Sequence, residues 1–220
     1  VVLIVAAGVG ARAGGALPKQ YQKIKGRSVL EHTVRAFSNN ARPQPWPIHI
    51  VVSAQDAHAD SLRISAHFHK VGGSTRAESV YQGCRILHAL YPQDPWVLVH
   101  DAARCSLPNT ALLRLEQYLK AYEHPALLAL PVSDSLHRLD NDTQGKSVAV
   151  SREHLWAAQT PQAAKLSQLL MAYQQPEAMA CTDEYSALQA VGITMSMVQG
   201  DRQNIKITYP EDFAFVEKFL

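Results

Sequence analysis

The stretch VVLIVAAGVGARAGGALPKQYQK, residues 1–23, determines how the rest of the chain is interpreted. Its first five residues form an unbroken aliphatic run, which is typical of a strand buried on both faces in a parallel sheet. The run ends at Ala6-Ala7-Gly8, and further glycines follow. Small residues let backbone N–H groups close around a bulky anion, and Arg12 and Lys19 add positive charge. The stretch therefore predicts a strand that leads into a phosphate-binding loop.

Two common phosphate-binding motifs do not explain this loop. Residues 8–13 fit the loose dinucleotide pattern G-x-G-x-x-G/A, but that pattern needs a helix at its third small residue. Gly14, Gly15 and Pro18 break any helix there. Glu31 has about the right spacing for the acidic residue of that motif, roughly 20 residues on, but lies in a helix-like stretch. No Gly-Lys-Ser/Thr follows, which excludes a P-loop. The remaining alternative, a glycine-rich surface turn, rarely carries both an Arg and a Pro-Lys pair.

Another signature fits the loop and continues along the chain. AAGVGAR followed by LPKQY matches the nucleotidyltransferase pattern A-A-G-x-G-x-R…P-K. Further motifs follow in order: GGSTRAESV at 72–80, VLVHDAAR at 97–104, QTPQ at 159–162, TDE at 182–184 and NIKIT at 204–208. Over essentially its whole length, the chain resembles the 2-C-methyl-D-erythritol 4-phosphate cytidylyltransferase family of the non-mevalonate isoprenoid pathway.

The resemblance implies an α/β fold of nucleotidyltransferase type, with a Rossmann-like, mostly parallel but mixed sheet and helices on both faces. It implies transfer of CMP from CTP to the polyol phosphate with release of pyrophosphate, assisted by Mg²⁺. Three alternatives stay open. They are a ribitol 5-phosphate cytidylyltransferase, a sugar-phosphate nucleotidyltransferase for another base, and a non-catalytic nucleotide-binding protein. The presence of both Arg12 and Lys19 argues against the last.

The resemblance also implies roles for individual residues. Catalysis falls to Arg12 and Lys19. CTP binding falls to Ala6, Ala7, Gly8, Gly10, Gly73, Ser74 and Ser79, and binding of the polyol phosphate to Asp101, Arg104, Ser135, Arg152, Thr160, Thr182 and Lys206. Ser74 departs from the family pattern, because an acidic residue is common there.

Asp101 is also a metal candidate by position. It follows a predicted strand at 96–99, and ligands of open α/β sheets bind at the carboxyl ends of strands. Carboxylate oxygen suits Mg²⁺, so Asp101 is a predicted metal ligand. The alternative for Asp101 is a helix-capping or turn residue.

Composition sets further bounds. A length of 220 residues suits one domain, predicted here as 1–220. The net charge of +2 is too small to predict a nucleic-acid partner, and no apolar run is long enough to span a membrane. Cys84, Cys105 and Cys181 lack metal-ligand spacing, and an odd count argues against a disulfide framework. These features predict a cytoplasmic protein.

The other elements follow from hydrophobic periodicity. Helices are predicted at 28–37, 57–68, 77–91, 108–122, 163–173, 183–191 and 210–219, with Thr182 as the N-cap of the helix at 183–191. Strands are predicted at 48–52, 96–99, 126–131, 193–198 and 205–207, and a further short strand ends at Val71. Residues 132–159 differ, with two short alternating segments at 135–139 and 147–150 around the turn DNDTQGK. A lone hairpin is marginal in water. The segment 132–159 is therefore predicted to be a β-arm that packs on a second subunit of a homodimer.

Overall fold

The protein is built from short strands and helices that alternate along most of the chain. The computed structural model describes residues 1–8, 10–15, 17–38, 45–139 and 146–220. The strands are β1 (Val2–Val5), β2 (Lys23–Ile24), β3 (Arg27–Ser28), β4 (Ile48–Ser53), β5 (His67–Gly72), β6 (Trp96–Asp101), β7 (Ala126–Pro131), β8 (Leu136–Leu139), β9 (Ser147–Val150), β10 (Trp156–Lys165) and β11 (Ser196–Gln199). The helices are α1 (Val29–Ser38), α2 (Arg76–Leu90), α3 (Asn109–Tyr122), α4 (Leu166–Tyr173), α5 (Glu184–Ala190) and α6 (Glu211–Glu217).

A mixed, mostly parallel sheet forms the centre of the fold. Among the described residues it has seven strands in the order β11-β7-β10-β6-β1-β4-β5. β10 alone runs antiparallel to its neighbours, β6 and β7. The other neighbouring strands pair in parallel. The predicted α/β class and mixed sheet are confirmed.

Helices cover both faces of the sheet, as the apolar run at the start of the chain predicts. Val2 and Ile4 of β1 pack with α1 and α3, whereas Leu3 packs with α2 and α4 on the opposite face. Since all three are fully buried, β1 is an interior strand with no polar face. A smaller cluster joins Ala13 of the glycine loop and Ala103 to Val216 of α6. This cluster ties the loop to the end of β6.

Two predicted helices are wrong in part. Residues 57–68 contain a 3-10 turn at Ala59–Ser61 and then the beginning of β5. β5 is an edge strand that gains its backbone partners from β4, and such pairing overrides weak helical periodicity. Helix α4 begins at Leu166, because residues 163–165 still belong to β10.

Two further predictions differ from the structure. No strand forms at 205–207; there the Ile207 N–H instead donates to the carbonyl of Ala103 at 2.9 Å. Helix α5 is capped by Asp183, whose carboxylate accepts from the Ser186 N–H, rather than by Thr182.

The predicted arm contains its two predicted strands. β8 and β9 pair antiparallel in a sheet of their own, with Leu136 opposite Val150. Both strands are largely exposed. Most of the predicted turn, residues 140–145, lies outside the described residues. Within the described ranges, every helix is too short or too polar to span a lipid bilayer.

Candidate active site

A cavity of about 510 Å³ opens at the carboxyl ends of β1, β5 and β6. It lies where open α/β sheets place their ligands. The described residues that line it are Val5, Ala7, Gly8, Gly10, Arg12, Lys19, Gln20, Gly73, Ser74, Thr75, Arg76, Ser79, Asp101, Ala102, Ala103 and Lys206. They come from stretches far apart in the sequence, which the sheet brings to one edge.

The glycine loop owes its shape to backbone conformations that glycine favours. Gly10, Gly14 and Gly15 all have positive φ, at 64°, 67° and 91°. A Cβ on Gly10 would lie 2.7 Å from Cγ of Lys19, so the absence of a side chain lets Lys19 cross the loop. The lack of a side chain at Gly10 thus leaves room for the Lys19 side chain, in addition to allowing the turn.

Two side chains at the end of the loop, those of Lys19 and Gln20, hold it in place. Gln20 donates to the carbonyl of Ala6 at 2.8 Å and to that of Gly8 at 3.1 Å. Lys19 donates through Nζ to the carbonyl of Ile207 at 2.7 Å. Gln20 is a site residue that the sequence analysis missed, although it stands within the quoted PKQY motif.

The turn from β5 into α2 forms the opposite wall. Thr75 caps α2 by accepting from the Glu78 N–H at 3.0 Å. The Gly73 N–H donates to the hydroxyl of buried Ser79 at 3.2 Å. An acidic residue is common at position 74 in the family that the chain resembles. Here Ser74 donates from both its N–H and its hydroxyl to the Glu78 carboxylate, at 2.7 and 2.9 Å. A carboxylate therefore stands beside Ser74, supplied by a different residue.

Asp101 lies at the centre of a group of cations. Its Oδ1 accepts from Nε of Arg76 at 2.9 Å, and its Oδ2 lies 2.7 Å from Nζ of Lys206 and 3.9 Å from Nε of Arg104. Burial alone would raise the pKa of Asp101, but the three positive charges outweigh it and hold that pKa well below its usual range. Asp101 is thus a fixed anion, with both oxygens engaged.

Arg76 extends this network to a fully buried carboxylate. Its Nη1 and Nη2 donate to the two oxygens of Glu184 at 2.6 and 3.0 Å, and Tyr173 donates its hydroxyl to Oε1 of Glu184 at 3.0 Å. Burial would lower the pKa of Arg76, but Glu184 and then Asp101 raise it well above its ordinary value. Glu184 was not predicted as a site residue, although the TDE motif at 182–184 contains it.

A second series of hydrogen bonds, through Thr160 and His100, holds the backbone of Asp101. His100 is fully buried, and its Nε2 donates to the carbonyl of Arg104 at 3.1 Å, so the neutral ring accepts at Nδ1. Thr160 is the donor to Nδ1, since its hydroxyl lies 2.9 Å from that atom. The same hydroxyl oxygen accepts from the Asp101 N–H at 3.1 Å. Burial lowers the pKa of His100 to about 4.

Positive charge exceeds negative charge in the cavity lining. Arg12, Lys19, Arg76 and Lys206 contribute cations, whereas Asp101 is the carboxylate among the described lining residues. Burial, followed by the nearby charge of Lys206, lowers the pKa of Lys19. An anionic ligand would relieve this repulsion, so the cavity has the electrostatics of a phosphate site.

Most predicted site residues meet in this cavity, but not all. Ala7, Gly8, Gly10, Arg12, Lys19, Gly73, Ser74, Ser79, Asp101 and Lys206 line it, whereas Ala6, Arg104, Ser135, Arg152, Thr160 and Thr182 do not. Arg104 borders it through its Asp101 contact, and its buried Nε makes no hydrogen bond within the described chain. Arg152 precedes β10 and donates to the carbonyl of Ser133, so Ser135 and Arg152 both lie in the predicted arm.

The described residues lack the ligand set that a magnesium site needs. In the part of the chain that the structure describes, no three His, Cys, Asp or Glu side chains gather so as to hold a metal ion. Asp101 supplies one carboxylate, and both of its oxygens already face cations. The described residues therefore do not form a magnesium site by themselves.

Comparison with known proteins agrees with this geometry. The family model for 2-C-methyl-D-erythritol 4-phosphate cytidylyltransferase matches residues 1–220. A protein of that name from Laribacter hongkongensis is 43% identical, over 99% of this chain and 94% of the relative. One from Chromobacterium violaceum is 40% identical, over 100% and 97%.

Solved structures give the same relation. A crystal structure of 4-diphosphocytidyl-2C-methyl-D-erythritol synthase superposes with a TM-score of 0.85 at 35% identity, covering 99% of this chain and 96% of the other. The cytidylyltransferase structure from Francisella tularensis gives 0.81 at 30% identity, covering 100% and 98%.

Proposed function

Because the chain belongs to the 2-C-methyl-D-erythritol 4-phosphate cytidylyltransferase family, we propose that the cavity beside the glycine loop holds CTP and the polyol phosphate together. The protein is an enzyme of isoprenoid precursor biosynthesis that transfers CMP from CTP to 2-C-methyl-D-erythritol 4-phosphate. The observation that carries the location of the site is the group of cations around Asp101 at the mouth of the glycine loop.

The reaction needs positive charge more than it needs a base. An oxygen of the polyol's phosphate attacks the α-phosphorus of CTP, the bond to the α,β-bridging oxygen breaks, and pyrophosphate leaves with that electron pair. The nucleophile is already an anion, so no strong general base is required. Arg12 and Lys19 would stabilise the charge that develops in the transition state, Arg through a fork of donors and Lys as a point charge.

We assign the nucleotide to the walls formed after β1 and β5. Ala6, Ala7, Gly8 and Gly10 would offer backbone atoms on one side, and Gly73, Ser74 and Ser79 on the other. The open space beside Gly8 supports this assignment, because a Cβ added there would meet no atom within 4 Å and the backbone stays accessible to a ligand. Glu78, hydrogen-bonded to Ser74, supplies the negative charge that Ser74 itself lacks.

We assign the polyol phosphate to the side of the cavity around Asp101, Arg104 and Lys206. The buried Nε of Arg104 makes no hydrogen bond to any described residue, which supports this assignment, because such a donor favours a ligand oxygen nearby. Thr160 would act through the backbone of Asp101 rather than by contact. Ser135, Arg152 and Thr182 complete the proposed set, from the arm and the start of α5.

We propose that Mg²⁺ would bind together with the triphosphate, and that Asp101 is the residue of this chain that would contribute a ligand to it. When bound, the ion neutralises phosphate charge. Chelation should then abolish turnover, and Asp101→Asn should weaken the response to added Mg²⁺. Turnover that persists in excess chelator would contradict the metal requirement. An unchanged metal response in the variant would restrict Asp101 to polyol binding.

The arm, residues 132–159, remains a proposed dimerisation element. Two short exposed strands cannot form a stable core, so we propose that the arm packs on a second subunit and brings Arg152 to its site. Mixing Arg12→Ala chains with Arg152→Ala chains tests this, because mixed dimers would regain one intact site. If subunit exchange is confirmed and activity stays at the parental level, the arm does not act across an interface.

Pyrophosphate release tests the function directly. The protein should release pyrophosphate from CTP with 2-C-methyl-D-erythritol 4-phosphate, and far more slowly with ribitol 5-phosphate or with other nucleoside triphosphates. Preference for ribitol 5-phosphate would contradict the assignment. We further propose a cytoplasmic location, which suits three free cysteines.

A further inference from the structure

Glu184 is a carboxylate with no exposed surface, on a helix that contributes nothing to the cavity lining. We propose that Glu184 is a positioning residue for the polyol phosphate, acting on Asp101 through Arg76. This role rests on the proposed assignment of Asp101 to the polyol side of the cavity. It adds to the chain's reaction a residue that touches neither substrate.

The geometry of Arg76 makes the connection rigid. The guanidinium is planar, so two bonds to Glu184, Nη1–Oε1 at 2.6 Å and Nη2–Oε2 at 3.0 Å, fix the direction of its third donor. That donor, Nε, meets Oδ1 of Asp101 at 2.9 Å. The two bonds from Arg76 to Glu184 thus set the orientation of the Asp101 carboxylate.

Asp101 needs this support because the cation within hydrogen-bonding distance of its other oxygen, Lys206, is less constrained than Arg76. Oδ2 pairs with Nζ of Lys206 at 2.7 Å, but the Lys206 side chain is 42% exposed and offers a single point charge. A substrate phosphate would draw Lys206 toward itself. Asp101 then keeps its orientation through Oδ1, and it can accept hydrogen bonds from the hydroxyls of a polyol.

A purely structural role is the competing explanation. Arg76 begins α2 and Glu184 begins α5, so the pair also joins two helices. Loss of such a contact would reduce the fraction of folded enzyme. That loss lowers measured turnover and leaves KM for both substrates unchanged. A positioning role raises KM for the polyol phosphate alone, so the two roles predict different results.

The experiment is a double-mutant cycle on the full-length protein with Glu184→Gln, Asp101→Asn and the pair. KM and kcat are measured for 2-C-methyl-D-erythritol 4-phosphate and for CTP, together with the melting temperature. Leu169→Ala serves as the matched control, because Leu169 is fully buried in α4, outside the cavity lining, and its truncation destabilises the fold. Arg76→Lys is a second variant, which keeps the charge but lacks the fork, in case Glu184→Gln does not fold.

We expect Glu184→Gln to raise KM for the polyol phosphate about tenfold, to leave KM for CTP within about twofold, and to add little once Asp101 is Asn. Arg76→Lys should change KM in the same direction, whereas Leu169→Ala should not. The proposal is overturned if Glu184→Gln leaves KM for the polyol phosphate unchanged, or if the effects of Glu184→Gln and Asp101→Asn on that KM add independently. It is also overturned if Leu169→Ala raises the same KM. An unchanged KM for the polyol phosphate in Asp101→Asn also overturns the proposal, but it does not contradict the enzyme's function. Failure of the function itself would appear separately, as wild-type protein inactive toward this polyol phosphate.

Discussion

The two sides of the cavity are built in different ways. The glycine loop, residues 6–20, is one continuous stretch whose shape comes from positive-φ glycines and from its own neighbours, such as Gln20. The side around Asp101 is an ion-pair network whose members come from distant parts of the chain. Arg76 and Glu184, for example, are separated by 108 residues. Arg12 on the loop is exposed, whereas Glu184 is fully buried.

Charged side chains therefore have different functions on the two sides of the cavity. A cation on an exposed loop contributes little to folding and is free to serve the reaction. A cation that holds two buried carboxylates is part of the fold, because removing it leaves those carboxylates in a poorly solvated place. Substitutions on the two sides should therefore affect stability and turnover in opposite proportions.

The largest expected effect is on stability, from Arg76→Ala. It leaves Glu184 buried without a cation, which should lower the free energy of unfolding by about 3–5 kcal/mol. Arg12→Ala should change it by no more than about 0.5 kcal/mol, as is usual for exposed positions. Urea denaturation of both variants measures the difference. Equal stability losses would remove the distinction between the two sides.

Next in size is the effect of the loop cations on turnover. Arg12→Ala and Lys19→Ala should each lower kcat by about 10²–10³-fold, or 2.7–4 kcal/mol, as is typical when a donor to the transition state is lost. Arg63→Ala and Lys120→Ala, which remove exposed cations outside the cavity lining, are the matched controls. Steady-state kinetics with both substrates measures the change. Wild-type turnover in both loop variants would refute the catalytic assignment.

The smallest effect concerns acid sensitivity of the buried side. The lowered pKa of His100, about 4, means that the unfolded chain takes up a proton below about pH 6.5 while the folded protein does not. The free energy of unfolding should thus be highest above pH 6.5 and fall as pH drops toward 4, by at most about 1.4 kcal/mol per pH unit.

Denaturation of wild type and His100→Gln at several pH values tests this slope. His100→Gln removes the titrating group and should flatten the dependence, whereas His88→Gln, at an exposed position on α2, should not. An equal slope in wild type and His100→Gln would assign the acid sensitivity to other groups. His49 is one candidate, because burial and the neighbouring His69 lower its pKa to about 4.

The loop side of the cavity could be predicted from sequence because its chemistry lies in one stretch. A buried strand, glycines and two cations follow each other within residues 1–20, and each has a local physical reason. The same holds for α2, whose N-cap Thr75 lies two residues after the Gly72-Gly73 pair. Asp101 could be placed because β6 ends there.

The network around Asp101 could not be predicted in the same way. The partnership of Arg76 with Glu184 depends on how α2 and α5 pack, which no local pattern reveals. β10 was missed because its sequence, WAAQTPQAAK, lacks a β-branched run. It forms a strand because it occupies the place between β6 and β7. Only the first two residues of β5, His67 and Phe68, were predicted as helix, because this edge strand keeps polar, half-exposed side chains.

The reversed direction of β10 has a consequence for how such enzymes diverge. Its first residue, Trp156, pairs with Pro131 at the end of β7, so the segment between them leaves the sheet on the same edge as the cavity. Length and sequence of that segment are not constrained by the central strands. On the proposed assignment of Ser135 and Arg152 to the polyol phosphate, a change in this one segment would remodel the acceptor side of the reaction without altering the glycine loop.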